Sequence, residues 1–160
     1  MMAAAFSPVY FADENAPGMA KLLGRMGRDD IVFPGHDSLP DVPIGSLDLD
    51  WMPIVGARGM IVVTRDRRIR SRPAELAAYR EHGIRSVWIG AKRDLRPQDQ
   101  ADLFLAHEER LRREIIKLGA GPWALAMSQS GVRPLHLADD IGTIHRVKRQ
   151  RTPPLQRGVP

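Results

Sequence analysis

Two apolar runs and one turn-rich segment of this 160-residue chain deliver acids. Val9-Tyr10-Phe11-Ala12 runs into Asp13-Glu14-Asn15. Met60-Ile61-Val62-Val63 runs into Thr64-Arg65-Asp66, and the turn-rich segment 34–48 brings Asp48 and then Asp50 to the start of a helical pattern. If the two apolar runs are neighbouring parallel strands, Asp13 and Asp66 emerge at the same sheet edge. A helix that starts after a strand-end loop brings Asp48 to that edge too. Three carboxylates in contact repel one another, and their ionisation is suppressed. A divalent cation removes the conflict, and oxygen donors without a His or Cys cluster suit Mg2+ or Mn2+ rather than zinc. Such an ion activates water and neutralises charge developing on a phosphodiester, the logic of a metal-dependent nuclease. Each acid also has a plainer use, Asp13 and Asp48 as helix N-caps and Asp66 as a surface acid. Convergence at one edge is what would separate a site from three unrelated acids.

Beside Asp66 stands RDRRIRSRP, which crowds Arg65, Arg67, Arg68, Arg70 and Arg72 into one stretch. Charge runs usually end as solvated turns. Next to an acidic metal site, these guanidinium groups would hold the phosphates of a nucleic-acid backbone. Trp51 lies next to Asp50 and close to Asp48, the one indole placed to act at the site. Other motifs lean structural. The five histidines have no zinc-ligand spacing. Ser128-Gln129-Ser130-Gly131 lacks the leading glycine of a nucleophile elbow, and no Gly-Lys-Ser/Thr follows GARG to make a phosphate loop.

The elements that must position these residues alternate. Strands are expected at 9–12, 30–33, 60–63 and 84–90, and helices at 16–26, 48–57, 73–82 and 97–118. Pro53 interrupts the second helix unless it falls in the first turn. Gly83 and Gly119 read as helix stops, and 123–137 reads as a hairpin about Ser130-Gly131. The alternation implies a three-layer α/β/α sandwich with a mostly parallel sheet, plus the C-terminal hairpin. Residues 8–140 are expected to form one domain, with 97–137 as a possible extension and 141–160 as a basic, disordered tail.

Composition is that of a soluble globular domain, 43% hydrophobic and 27% charged. Five of the 24 basic residues lie after Ile141 with no acid among them, which leaves 19 against 19 acids in the body. A neutral body argues against a wholly basic nucleic-acid-coating surface while leaving room for a local basic patch. With no cysteine there is neither a disulfide nor a thiol nucleophile. No apolar run reaches the roughly 20 residues of a membrane span, and MMAAAFSPVYF lacks the basic region of a signal peptide. The expectation is a cytoplasmic protein without membrane contact.

FADENAPG followed by DLDWMPIVGARGMIVVTRDRRIRSRPAELAAYREHGI resembles the PIN-like nucleases, and more closely a bacterial branch related to VapC-type toxins. The pattern is a strand ending in Asp-Glu-Asn, an Asp-x-[Glu/Asp]-Trp stretch, an apolar strand ending in Thr-x-Asp, an Arg-rich segment and Pro-Ala-Glu. The resemblance implies a Mg2+- or Mn2+-dependent ribonuclease with Asp13, Asp48 and Asp66 on the ion and Thr64 at the same strand end. Glu14, Asn15 and Asp50 match neighbouring polar positions that assist through water or hydrogen bonds. It further implies RNA as substrate, a cognate antitoxin and a homodimer. A fourth acid is usual after the last parallel strand; with 84–90 taken as that strand, the nearest candidate is Asp94. Two alternatives remain open. One is a PIN-like module that binds nucleic acid or protein without catalysis. The other is a receiver-like phosphorelay domain using Glu14, Thr64 and Lys92, although strand 30–33 ends in Phe33-Pro34 and not in a phosphoacceptor Asp.

Overall fold

In the computed structural model, described over residues 8–66, 72–90, 95–135 and 137, strand and helix alternate from the start. The elements are β1 (Tyr10–Ala12), α1 (Pro17–Arg25), β2 (Ile31–Val32), α2 (Asp48–Ala57), β3 (Ile61–Thr64), α3 (Pro73–Glu81), β4 (Arg85–Ile89), α4 (Pro97–Leu118), β5 (Trp123–Ser128) and β6 (Gly131–Leu135). They form one six-stranded sheet in the order β2-β1-β3-β4-β5-β6. Neighbours from β2 through β5 are parallel, and only β6 runs antiparallel. The expected α/β architecture with its terminal hairpin is the one observed.

The two-residue period of the strands sorts the core into two layers. Tyr10 and Ala12 of β1, Ile61 and Val63 of β3, and Val87 and Ile89 of β4 pack with Met19 and Leu23 of α1 and Phe104, Leu111 and Ile115 of α4. The intervening Phe11, Val62 and Trp88 pack on the opposite face with Trp51, Met52 and Val55 of α2 and Leu76 and Tyr79 of α3. Every residue of β3 is buried, as a central parallel strand covered on both faces requires. Proline opens α1, α3 and α4, where its fixed φ suits a helix and its missing N–H has no partner to lose. Arg28, just past α1, donates to Asp30 at 2.8 Å and to Glu108 of α4 at 2.6 Å, tying α4 to the β1–β2 edge.

Two expectations are corrected. Pro53 lies inside α2, beyond its first turn, without ending it. The carbonyl that loses its partner belongs to Leu49, which is 48% exposed, so water can take the place of the missing N–H. Nor is β4 the last parallel strand. Helix α4 crosses over and β5 pairs parallel with β4, from Arg85 beside Trp123 to Ile89 beside Met127. The hairpin is present, with Ser128 facing Gly131, but its first strand belongs to the parallel core. The expected tail at 141–160 lies outside the described residues. Among the described residues, no helix is long and apolar enough to cross a membrane.

Candidate active site

The chain leaves β1 through α1 to β2 on one side, then passes through α2 to β3 on the other side of β1. The crevice between the carboxyl ends of β1 and β3 is therefore the point where strand order reverses, the usual ligand position in an open α/β sheet. Asp13 follows Ala12 and continues the alternation onto the α2/α3 face. Its N–H bonds the Val63 carbonyl at 3.2 Å, so the pairing of β1 with β3 extends as far as Asp13. Asp13 is fully buried. Its Oδ1 accepts the Asn15 N–H at 2.9 Å, and its Oδ2 accepts the Thr64 hydroxyl at 2.6 Å. The same hydroxyl oxygen accepts the Asp66 N–H at 3.0 Å. Thr64 thus fixes the Asp13 carboxylate and the turn that presents Asp66 with one atom.

Asp48 is the first residue of α2. Trp51, one turn on, donates its indole N–H to Asp48 Oδ1 at 3.2 Å and packs against Phe11 of β1 with ring centroids 4.8 Å apart. Helix α3 begins at Pro73 and carries Glu75 in its first turn. Arg72 precedes that proline with extended backbone (φ −100, ψ 114), as a residue before proline must. Its Nη1 lies 3.8 Å from Asp48 Oδ2, 3.8 Å from Asp66 Oδ2 and 3.4 Å from Glu75 Oε1. Carboxylates that share one nitrogen at such distances lie well within a nanometre of each other. Asp48, Asp66 and Glu75 therefore form one cleft.

The charges are under strain. Burial, opposed by the Thr64 and Asn15 hydrogen bonds and reinforced by the Asp48 charge, pushes the Asp13 carboxyl up to about 7. Burial also raises the Asp48 carboxyl; the Trp51 and Arg72 contacts oppose this, while the Asp66 and Glu75 charges add to it. Asp48, Asp66 and Glu75, with Asp13 joined to the Asp66 turn through Thr64, offer only hard oxygen atoms, a chemistry that suits Mg2+ or Mn2+. Among the described residues, no three Asp, Glu, His or Cys stand close enough to make a preformed cage. Mg2+ does not demand one, since it keeps several waters and takes one or two carboxylates together with substrate phosphate.

The remaining candidates are placed as follows. Glu14 and Asn15 are exposed, and Asn15 contributes its backbone N–H to Asp13. Asp50 is exposed and accepts the Leu47 N–H at 3.2 Å, closing the start of α2. Arg65 carries its guanidinium over Gly90 at the end of β4. Arg67, Arg68, Arg70, Asp94 and Lys92 lie outside the described residues. Glu75 was not singled out from sequence. Its signal was the acid of Pro-Ala-Glu in the first turn of a helix that begins on the loop leaving β3.

Residues 8–91 match the family model described as a PIN like domain. No match is found among curated proteins or among solved structures.

Proposed function

Because this chain belongs to the PIN-like domain family, we propose that it is a metal-dependent ribonuclease whose active site is the acidic cleft at the β1–β3 crevice. The observation that carries the reading is the meeting of Asp48, Asp66 and Glu75 around one nitrogen, with Asp13 joined to the Asp66 turn through Thr64. These four acids come from α2, β3 and its following turn, α3 and β1, and core packing alone gives no reason to gather them. Asp13, Asp48 and Asp66 would hold a Mg2+ or Mn2+ ion, with Glu75 from the first turn of α3 as a fourth acid beside them. The ion would supply an activated water and offset the charge that builds on the phosphodiester.

The protein's own part is positional. Thr64 keeps Asp13 and Asp66 in register with each other. Trp51 aims the Asp48 carboxylate and leaves its second oxygen to the cleft. Arg67, Arg68 and Arg70 from the sequence would contact the RNA backbone by bidentate hydrogen bonds, with Arg65 adding positive charge from beside Gly90. The motif order shared with VapC-type toxins supports a toxin that acts in the cytoplasm as a homodimer and is neutralised by a cognate antitoxin.

The test is cleavage of a labelled RNA in Mn2+ and in EDTA. Asp13→Asn, Asp48→Asn, Asp66→Asn and Glu75→Gln should each remove metal-dependent cleavage while circular dichroism stays unchanged. RNA binding without cleavage by the wild type in Mn2+ would select the non-catalytic binding module instead.

A further inference from the structure

We propose that Arg72 is the resident cation of the acidic cleft, a guanidinium that holds the place of the divalent ion and must be displaced when that ion binds. The inference rests on the reading of the cleft as metal-binding. It starts from how poorly Arg72 is seated. One nitrogen serves three carboxylates, with a long hydrogen bond to Glu75 at 3.4 Å and 3.8 Å to each of Asp48 and Asp66, all beyond the usual range of about 2.7 to 3.2 Å for an N–H···O bond. Arg28 shows what this chain does when an arginine is a structural link, with contacts of 2.8 and 2.6 Å to its two acids. Arg72 offsets the charge of the acids without locking to them.

The arginine lies nearer solvent than the acids. The Arg72 side chain is 38% exposed, against 16% for Asp48, 6% for Asp66 and 16% for Glu75. Part of the Arg72 side chain therefore reaches solvent while the acids it meets are more deeply buried. Its backbone is pinned in extended form by Pro73, so the side chain can swing out while α3 keeps its start. A divalent ion approaches carboxylate oxygens to about 2.1 Å and carries twice the charge. It would outbid a guanidinium held at 3.4 Å or more, and the two cations would repel if both stayed. A displaced guanidinium beside an ion-loaded cleft has backbone phosphate as its best partner, since planar bidentate donors match phosphate oxygens. Metal loading would therefore both open the acids and release a phosphate ligand.

The experiment measures Mn2+ affinity by calorimetry on the full chain at low salt, for the wild type, Arg72→Gln and Asp48→Asn. Removal of three partly exposed ion pairs that compete with the metal should tighten Mn2+ binding about tenfold in Arg72→Gln, and Asp48→Asn should weaken it. A second measurement needs no variant: in the wild type, the Arg72 Nε–H resonance should shift on Mg2+ addition as the ion pairs break. Wild-type binding with equal or weaker affinity in Arg72→Gln, or an Arg72 resonance that Mg2+ leaves in place, overturns the displacement and spares the metal site. No Mn2+ binding by either protein overturns both.

Discussion

Replacing Asp13 by Asn should stabilise the metal-free protein, and more so at high pH. Burial takes the carboxyl from 3.8 to about 7. Between those values the native state holds a proton that the unfolded state has released, so stability falls as pH rises. The full span is about 4 kcal/mol at 1.36 kcal/mol per unit, of which about 2 kcal/mol lies between pH 5.5 and 8. Asparagine removes the ionisation but keeps only one acceptor oxygen. The Thr64 hydroxyl and the Asn15 N–H both donate to Asp13, so one of these bonds is lost, at about 1 kcal/mol. In EDTA at pH 8 the variant should therefore exceed the wild type by about 3 kcal/mol, with an advantage about 2 kcal/mol smaller at pH 5.5. Urea unfolding at the two pH values measures both. If Asp13 holds the ion as proposed, saturating Mn2+ at pH 8 should narrow or reverse the order, because only the wild type would retain that ligand. An advantage that stays flat or shrinks from pH 5.5 to 8 would refute the argument that Asp13 is an uncompensated buried charge.

Other consequences are testable in the same way. Trp51→Phe keeps a ring against Phe11 but removes the N–H that orients Asp48, so Mn2+ affinity should fall about tenfold, as for other groups that aim a ligand; an unchanged titration would deny that role. Gly56→Ala, inside α2, should gain about 1 kcal/mol from helix propensity. Its Cβ, however, would run into the His82 carbonyl oxygen just past α3 and stand 2.9 Å from the His82 Cβ. A net loss of about 1 to 3 kcal/mol is expected, read as a lower melting temperature, and a more stable variant would contradict the close packing of α2 on the end of α3.

Residues that announce themselves locally were legible in the sequence. Helix α4 begins and ends where its proline, acid and glycine signals place it, because caps act over one turn, and α2 keeps its expected span despite the proline inside it. Asp13, Asp48 and Asp66 could be put on one edge because parallel strands share a carboxyl end. What stayed hidden depended on contacts between elements. The 22-residue α4 looked like an appendage, whereas its Phe104 and Ile115 cover the α1 side of the sheet and return the chain for a further parallel strand. Arg72 stood in a run of five arginines that composition cannot distinguish. Its inward position follows from the proline after it and from acids on two other elements. Glu75 was visible only as part of a three-residue motif, since nothing local says which way the first turn of α3 faces.

The alternation that buries Tyr10 and Ala12 on one layer and Phe11 on the other also decides where Asp13 goes. Slide β1 past β3 by a single position and the carboxyl moves beneath α1 and α4, severed from Thr64 and from every other acid. On the proposed metal-binding reading, ion uptake would then count the molecules whose strands are correctly threaded. A refolded preparation could be graded by its stoichiometry of bound manganese, even where its spectrum looks native.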